Sequence, residues 1–421
     1  MDQDQYRVSL VKASANSNAL NAALALSERN ILQEVITTLG FDPNSNFARF
    51  LNILPHKIGD SIRDELGRRT WLLSNSGCIC QHNFKEIVRV IGYRYFNHLL
   101  NASLKESLIN WVYTSLDSHA AQAHLNNLNG VYGYEDEALN IFLTAKQQGT
   151  LCFYDLPIPF HQMSRDIQAE EVERFPELSG SMQAVKEPVW KVERKQQEVQ
   201  LADHIFVASS MTQRSLLDIG IPLDKISVIP YGAPLDYFKP QPKLDNIFRV
   251  MFAGRSSPRK GVHYLLQAWK KLSFPDAELV LVGNNLMPSE WFSQYADICH
   301  QVPSVPHFKL NSYYSSASVL VFPSLVEGFG LVLTEAMACG IPVITTPNTA
   351  GPDIVTDGVE GFIIPIRDVE ALEEKLEWCY QHPHELSEMG KAARKKAEQL
   401  TWQRYRHELS SKVISLLQSI K

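Results

Sequence analysis

Residues 319–345 read VLVFPSLVEGFGLVLTEAMACGIPVIT and form the most informative segment of the chain. The short apolar run Val319–Phe322 predicts a buried strand, and Leu331–Cys339 predicts a helix that ends at Gly340. A second apolar run, Pro342–Thr345, follows at once. The order strand, loop, helix, strand is typical of a parallel sheet in an α/β protein.

The same alternation extends through the chain and predicts two α/β halves. In the first half the predicted strands are Tyr6–Val11, Gly130–Tyr134, Thr150–Tyr154 and His204–Ala208, and the helices are Asn18–Glu28, Tyr134–Gln148 and Met211–Leu217. In the second half the further predicted strands are Phe248–Ala253 and Glu278–Val282, and the further predicted helices are His263–Lys271 and Ser312–Ser316. Residues from about 40 to 105 are predicted to be mostly helical. The proline-rich Ile229–Lys243 predicts an irregular linker.

Composition narrows the class of protein. The 421 residues are 45% hydrophobic and 20% charged, which permits a large core and excludes wholesale disorder. There are 40 Lys and Arg against 46 Asp and Glu, a net charge of −6, so a dedicated nucleic-acid binder is not expected. Six cysteines are too few for a disulfide framework and favour a reducing compartment. No signal peptide or membrane span is recognised, so a cytoplasmic protein is expected.

The loop Gly254–Gly261 follows one strand and precedes a helix, the place where parallel sheets bind ligands. Gly254 permits close backbone approach, Arg255 offers a planar set of donors, and Lys260 offers a compact positive charge. Together they suit a diphosphate. The alternative is a solvated basic loop at a helix N-terminus.

The loop after Val319–Phe322 is the stronger signal. Gly328, Phe329 and Gly330 precede the helix that starts at Leu331, and their N–H groups predict an anion cradle. A carboxylate lies on either side, at Glu327 and Glu335. Carboxylates accept paired hydrogen bonds from sugar hydroxyls, so the pattern indicates a nucleotide-sugar site. The alternative is that both glutamates are charges near a helix N-terminus.

These residues resemble a known family. The Glu327–Glu335 string resembles the Glu-x7-Glu signature of family 4 retaining glycosyltransferases, whose GT-B fold has two Rossmann-like domains facing each other across a cleft. The loop Gly254–Gly261 resembles the diphosphate motif of that family. Leu281–Asn284 and Asp353–Gly361 also resemble its motifs, and the likeness covers about residues 200 to 420.

The resemblance implies roles by position. Glu335 would hold the ribose, Glu327 would contact the transferred sugar, and the amides of Gly328 to Leu331 would hold the diphosphate with Arg255 and Lys260. The predicted catalytic residues are Arg255, Lys260, Glu327 and Asp155. The predicted donor-binding residues are Gly254, Arg255, Lys260, Glu327, Gly328, Phe329, Gly330, Leu331 and Glu335. No metal or cofactor is expected, because no Asp-x-Asp follows a predicted strand, and retention of configuration is implied.

The resemblance also implies the domain plan and the partners. Residues 1–238 would form an acceptor-side domain completed by the amphipathic helix 401–421, and residues 239–400 would bind the donor. The expected partners are a nucleotide sugar and a saccharide or lipid-linked acceptor, in cell-surface polysaccharide, lipopolysaccharide or glycolipid assembly. Peripheral contact with the cytoplasmic face of a membrane is also expected. The alternatives are a non-catalytic nucleotide-sugar-binding protein and a GT-B epimerase or hydrolase.

The N-terminal half departs from the family pattern. The family's early glycine pair is missing after the first strand, where the chain reads Lys12–Asn18. The family's mid-domain histidine is replaced by Tyr154 or Asp155, of which Asp155 is favoured, and the alternative is a turn aspartate.

Two other features are given structural interpretations. Cys78–His82 contains Cys-x-Cys without a second pair, so buried thiols are favoured over a zinc site. The basic run Lys391–Lys396 is interpreted as a solvated helix face, and an anionic-membrane patch is the alternative.

Overall fold

The computed structural model describes residues 6–40, 70, 71, 73, 79–96, 98–182 and 184–419. The chain divides into two compact units. Unit one comprises Met1–Leu156, Val189–Phe206 and Arg406–Lys421, and unit two comprises Pro157–Pro188 and Val207–Tyr405. These units are not the same as the domains predicted from the sequence. The predicted domain boundary after residue 238 stays a prediction. Among the described helices, none has both the length and the hydropathy that a bilayer span requires.

The first sheet has seven strands in the order β3-β2-β1-β4-β5-β6-β7. Its strands are β1 (Val8–Val11), β2 (Leu32–Thr37), β3 (Ile79–Gln81), β4 (Gly130–Tyr134), β5 (Leu151–Leu156), β6 (His204–Val207) and β7 (Ile226–Val228). β1 pairs in parallel with both β2 and β4, and β2 and β4 pair in parallel with β3 and β5. The strand order reverses direction at β1 and β4, which makes their loops a topological switch point.

The second sheet has six strands in the order β10-β9-β8-β11-β12-β13. Its strands are β8 (Phe248–Ala253), β9 (Ala277–Val282), β10 (His300–Val302), β11 (Val319–Phe322), β12 (Val343–Thr345) and β13 (Gly361–Ile363). All five neighbouring pairs are parallel. Every residue of β11 and β12 is buried, as expected for strands covered by helices on both faces.

In the described part of the chain, α-helices follow most of the strands. They are α1 (Ser17–Glu28), α2 (Phe84–Tyr95), α3 (Ala102–Ala123), α4 (Leu139–Gln147), α5 (His161–Arg174), α6 (Val189–Leu201), α7 (Ser210–Leu217), α8 (Val262–Lys271), α9 (Ser289–Ser293), α10 (Leu310–Ser316), α11 (Leu331–Ala338), α12 (Gly351–Ile354), α13 (Val369–Gln381), α14 (Pro383–Ala397) and α15 (Trp402–Gln418). In unit one, α15 contacts α1 through Arg406, which donates to Asn21 Oδ1 at 2.8 Å and pairs with Glu28.

Several predicted elements are confirmed. β4, β8 and β11 have the predicted limits, and the predicted linker 229–243 contains no helix and no strand, only an isolated bridge at Ala233. The alternation of apolar runs therefore located the centre of both sheets.

Other predictions are wrong. The helix predicted from Tyr134 begins at Leu139, because Tyr134 ends β4 and Asp136 adopts a positive φ of 70°. For the region from about 40 to 105, the prediction of mostly helix agrees with the described residues 79–105, which contain α2, the start of α3 and the short strand β3. Residues 41–69, 72, 74–78 and 97 lie outside the described residues. The strands β2, β3, β7, β10 and β13 were not predicted. Four of these five strands have only three residues, too few for a periodic signal.

Candidate functional site

Two loops of the second sheet meet where its strand order reverses. One follows β8 and the other follows β11, at the carboxyl ends of adjacent strands. Gly261, with φ of 68°, lies so close to the second loop that a Cβ there would come within 1.9 Å of the Pro323 carbonyl oxygen. The Leu325 N–H donates to the Arg259 carbonyl oxygen at 3.0 Å. Backbone contacts therefore hold the two loops together.

Charged side chains from both loops form one cluster. Glu327 Oε2 accepts hydrogen bonds from Lys260 Nζ and, at 3.0 Å, from Arg259 Nη1. Arg255 is exposed and pairs with no carboxylate in the described part of the chain. Three cations thus accompany one carboxylate, which leaves an excess of positive charge beside the loop after β11.

Burial and charge shift the pKa values of the central pair. Burial opposes ionisation of Glu327, but Lys260 and Arg259 outweigh it and lower the pKa of its carboxyl to about 2. Burial also opposes the charge on Lys260, and the neighbouring Arg259 and Arg255 add to that effect, so the Lys260 pKa falls to about 8. Burial and the two arginines together outweigh the Glu327 carboxylate, so the pKa of Lys260 falls although its partner is ionised.

The N-terminus of α11 offers backbone donors next to this cluster. Within the described residues, the N–H groups of Gly328, Phe329, Gly330 and Leu331 have no protein acceptor. Gly330 adopts a φ of 87°, which turns the chain into the helix. Four unpaired N–H groups at the positive end of a helix dipole are a site for an anion.

The backbone of Gly328 is fixed by close contacts within unit two. Its carbonyl oxygen accepts hydrogen bonds from Ser209 Oγ and, at 3.4 Å, from Thr212 Oγ1. A Cβ at Gly328 would lie 1.8 Å from the Pro157 carbonyl oxygen, so no other residue fits there without backbone movement. Asn348 Nδ2 also donates to the Leu325 carbonyl oxygen at 2.8 Å. These contacts hold the loop in position before any ligand arrives.

Glu335 has a separate set of partners on α11. Its carboxylate is buried, with Oε1 2.9 Å from His307 Nε2 and Oε2 accepting from the Tyr314 hydroxyl at 2.8 Å. The hydrogen bond to Glu335 raises the pKa of His307. Both carboxylate oxygens are therefore engaged, and a ligand hydroxyl that binds Glu335 must displace the more exposed partner, His307.

Asp155 lies in unit one at the end of β5. It is 3% exposed, and Oδ2 accepts a hydrogen bond from the Tyr132 hydroxyl at 2.8 Å. Burial raises its pKa to about 7. The aspartate is therefore a buried member of a hydrogen-bonded pair and not an exposed turn residue, and its predicted catalytic role stays a prediction.

An ion pair stands where the family pattern has its early glycine pair. Lys12 Nζ pairs with Glu137 Oε1 at 2.7 Å, and the Ala13 N–H donates to Glu137 Oε2 at 2.6 Å. The charge of Glu137 outweighs burial and raises the pKa of Lys12. The Ala13 N–H in the loop after β1 is thus already satisfied by a side chain from the loop after β4.

The structure brings together some predicted site residues and adds others. Lys260 and Glu327 are in direct contact, Arg255 lies on the same loop as Lys260, and Gly328 to Leu331 present the backbone donors. Sequence reasoning missed Arg259, although it lies inside the quoted loop. It also missed His307 and Tyr314, which carry no local signal because their partner Glu335 is 28 and 21 residues away.

Comparison with known proteins identifies this region. Residues 236–396 match the family model of the glycosyl transferases group 1. This segment of the chain is similar to that family. The D-inositol 3-phosphate glycosyltransferase of Paenarthrobacter aurescens is 30% identical over 205 residues, which is 44% of this chain and 50% of that protein. The capsular polysaccharide biosynthesis glycosyltransferase CapM of Staphylococcus aureus is 29% identical over 230 residues, which is 48% of this chain and 59% of that protein. The chain thus spans about half the length of the curated relatives it matches.

Solved structures extend the likeness to nearly the whole chain. Sucrose-phosphate synthase from Thermosynechococcus elongatus superposes with a TM-score of 0.65 and 18% identity, covering 98% of this chain and all 100% of its own. HepE of Anabaena in complex with UDP-glucose superposes with a TM-score of 0.60 and 14% identity, covering 97% of this chain and 99% of the HepE chain. At such identities the likeness concerns the fold. The GT-B fold class, with two Rossmann-like parallel sheets, is confirmed, as is the resemblance to group 1 glycosyltransferases.

Proposed function

We propose that this protein is a retaining glycosyltransferase that moves a sugar from a nucleotide diphosphate sugar to an acceptor. The observation that carries the proposal is the pairing of unsatisfied N–H groups at Gly328 to Leu331 with an excess of cations at Arg255, Arg259 and Lys260. This arrangement suits a group with two negative charges. The binding of UDP-glucose by the HepE protein of the same fold supports a nucleotide-sugar donor.

The chemistry follows from where charge develops. When the bond between sugar and phosphate breaks, negative charge grows on the leaving diphosphate. Arg255 and Lys260, with the amides before α11, stabilise that charge as it forms, which lowers the barrier. In this proposal the cations do the work that a divalent metal does in other glycosyltransferases, and the donor site needs no metal. The acceptor hydroxyl attacks the anomeric carbon on the face from which the phosphate leaves, and the leaving phosphate takes the hydroxyl proton. Because attack and departure occur on the same face, the configuration is retained.

The two glutamates have different roles in the proposal. Glu327 Oε2 holds Lys260 and Arg259, which leaves Oε1 for a hydroxyl of the transferred sugar. Glu335 accepts the ribose hydroxyls once His307 is displaced. Because Glu327 stays ionised at neutral pH, it also keeps the cations in place before the donor binds.

Transfer assays test the proposal. The full-length chain is incubated with a panel of nucleotide sugars and candidate saccharide and lipid-linked acceptors, in EDTA, and products are analysed by mass spectrometry and NMR. We expect acceptor-dependent transfer without metal and with retained anomeric configuration. Nucleotide-sugar cleavage at the same rate without acceptor would favour the hydrolase alternative, and a change of the donor sugar itself would favour the epimerase. Binding without any turnover would favour a non-catalytic binding protein.

Two variants separate binding from catalysis. Lys260→Ala is expected to lower kcat by about 100-fold or more, since its contact strengthens in the transition state. Glu335→Ala is expected to raise the donor KM more than it lowers kcat, because ribose contacts exist in both states. Lys395→Ala, an exposed cation on α14, is the matched control and should leave both constants unchanged. Unchanged kinetics in either site variant would contradict the assignment of that residue.

The lipid-linked class of acceptor is proposed together with peripheral membrane contact. The basic run on α14 does not carry this proposal, because its Lys391 pairs with Glu388 and its Arg394 with Glu398 on the same helix. The better support is on α2, where apolar side chains at helical spacing are exposed to solvent. These side chains are Phe84, Ile87, Val88, Ile91 and Tyr95.

The charge of α2 favours an anionic surface. The helix carries Lys85, Arg89 and Arg94 against a single carboxylate, Glu86, which is buried and bonded to Arg89. An exposed apolar stripe flanked by cations is typical of a helix that lies in a membrane interface. We therefore assign this surface to anionic lipid at the cytoplasmic face of a membrane.

Vesicle sedimentation tests this assignment. We expect binding to vesicles with anionic lipid, weakened by salt and by loss of the anionic component. Ile91→Ser should weaken the partition about tenfold, because a buried large apolar side chain is worth about 1.5–3 kcal/mol. Leu244→Ser, at a residue of unit two that is 96% exposed, is the control and should bind like the unaltered protein. Equal binding to neutral and anionic vesicles, or no effect of Ile91→Ser, would contradict the assignment.

A further inference from the structure

A compact group of metal-ligand side chains lies in unit one, outside the site described above. Glu34 on β2, Cys80 on β3 and His124, directly after α3, each offer one ligand atom, and these atoms all lie within 4.8 Å of one another. Cys80 Sγ donates to Glu34 Oε2 at 2.8 Å, and His124 Nδ1 lies 2.9 Å from Glu34 Oε1. The three residues come from three separate elements, so the fold itself brings them together.

The register of β2 and β3 explains why the side chains of Glu34 and Cys80 lie close together. Cys80 pairs with Ile36, so Glu34, two residues earlier on β2, points to the same face of the sheet as Ile36. The helix α3 packs on β2, and its end delivers His124 to that face. The side chains of Glu34 and His124 are only 17% and 16% exposed, so the group is largely shielded from water.

Further imidazoles surround this group. The His119 ring lies edge-on to the His124 ring, with centroids 5.2 Å apart, and stacks on His82 at 4.2 Å. The neighbouring rings restrict how the His124 ring can turn, and a histidine that ligates a metal needs such a fixed orientation.

We propose that Glu34, Cys80 and His124 bind a zinc ion. Zinc accepts thiolate, imidazole and carboxylate together, with bonds of about 2.0–2.3 Å in a tetrahedral arrangement that places ligand atoms about 3.3–3.7 Å apart. The three ligand atoms lie within 4.8 Å of one another, so small side-chain movements bring them to that spacing. Without the ion, the Cys80 thiol donates a hydrogen bond to Glu34. When zinc binds, the thiol loses this proton to solvent, and a water molecule completes the fourth position.

The cluster lies away from the edge of the sheet where parallel strands bind their ligands. Glu34 lies in the first half of β2, and β4 begins six residues after His124, so the cluster is toward the amino ends of the strands. Ligands of parallel sheets bind at the opposite, carboxyl ends. The ion would therefore fasten the end of α3 to β2 and to the edge strand β3. The sequence segment Cys78–His82 did not predict this site, because only Cys80 of that segment takes part. The other two ligands are distant in sequence, since Glu34 lies 46 residues from Cys80 and 90 from His124. His82 is bonded to Ser115 instead.

Metal titration of the full-length chain tests the proposal. After treatment with a chelator, the protein is titrated with Co²⁺ and then Zn²⁺. We expect one equivalent of Co²⁺ with tetrahedral visible bands and a sulfur-to-cobalt charge-transfer band in the near ultraviolet. Zn²⁺ should bleach these bands and raise Tm, since an ion that binds the native state stabilises it.

Variants tie the signal to the three ligands. Cys80→Ser should remove the charge-transfer band and weaken Zn²⁺ binding by more than about 100-fold, the upper end of what loss of an outer-shell partner costs. Cys80→His should keep one equivalent of tetrahedral Co²⁺ without the sulfur band, which also shows that the variant folds. Cys299→Ser, at a buried cysteine of unit two, is the control and should keep both signals. Binding of equal strength in Cys80→Ser, or a sulfur band that survives in it, would overturn the proposal, as would failure of the unaltered chain to bind one equivalent.

Discussion

At the scale of single residues, Lys260 links electrostatics to the proposed binding of the donor. It is held against Glu327, yet burial and two neighbouring arginines keep its pKa at about 8. An anionic diphosphate in the same site would favour the charged lysine and raise that pKa again. Ligand binding is therefore coupled to the protonation of one side chain.

This coupling predicts a pH dependence of donor affinity. Below pH 8 the lysine is already charged and the Kd for a nucleoside diphosphate should be flat. Above pH 8 the lysine must take up a proton on binding, so the Kd should rise by up to about tenfold per pH unit. Calorimetric titration between pH 7 and 9.5 measures this. Lys260→Arg keeps its charge throughout the range, so it should show a flat profile, and an equally steep profile in that variant would rule Lys260 out as the cause.

Asp155 gives a second residue-scale prediction, on stability. The pKa of its carboxyl in the folded protein, about 7, lies above the ordinary value of 3.8, so the folded state prefers the protonated acid. This contribution to stability is fully present below about pH 4 and is lost as the pH rises through 7. Asp155→Asn should therefore raise Tm relative to the unaltered protein at pH 8 and much less at pH 5. Thermal melts at both pH values measure the difference.

The same variant separates a catalytic aspartate from a structural one. If Asp155 acts on the substrate, Asp155→Asn will lose turnover although its Tm at pH 8 is unchanged or higher. Full turnover in a well-folded Asp155→Asn protein would remove Asp155 from the catalytic residues. A lower Tm at pH 8 would contradict the pKa argument itself.

Local motifs predicted the loops of the candidate site but not the pairings within it. Glycines before a helix and cations after a strand are recognisable within eight residues of sequence. The contact of Arg259 with Glu327 joins positions 68 residues apart, and that of Tyr314 with Glu335 joins positions 21 apart. Such partners depend on how strands are ordered in the sheet, which no short window of sequence contains.

At the scale of elements, the limits of helices depended on distant side chains. The start of α4 is set by Glu198 of α6, whose carboxylate accepts hydrogen bonds from the N–H groups of Asp136, Ala138 and Leu139. No residue near Tyr134 signals that cap, so the helix was predicted five residues too early. β2 was missed because LQEVIT mixes polar and apolar residues and only its second half is buried.

The junction of the two site loops leads to an element-scale prediction. Gly261→Ala adds a Cβ that meets the Pro323 carbonyl oxygen at a residue with positive φ. Gly358→Ala is the matched control, since its φ of 78° is similar but nothing lies within 4 Å of its Cβ. We expect Gly358→Ala to cost about 1–2 kcal/mol from backbone strain alone, and Gly261→Ala to cost clearly more. Urea unfolding measures both, and equal losses would show that the close approach of the loops is unimportant.

At the scale of the whole molecule, two parallel sheets were foreseeable because apolar runs alternate with helical segments in both halves of the chain. The family domain, residues 236–396, was the part with specific motifs. The first half carries weaker signals, and there the chain replaces the family's early glycines with the Lys12–Glu137 pair.

The central claim is that the loops after β8 and β11 bind a nucleotide diphosphate without a metal. The most direct measurement is calorimetric titration of the full-length protein with nucleoside diphosphates in EDTA, repeated with magnesium. We predict selective binding of one nucleotide with the same affinity in both buffers, strongly weakened in Lys260→Ala and in Glu335→Ala but not in Lys395→Ala. Binding that requires magnesium, or that persists unchanged in both site variants, would contradict this assignment.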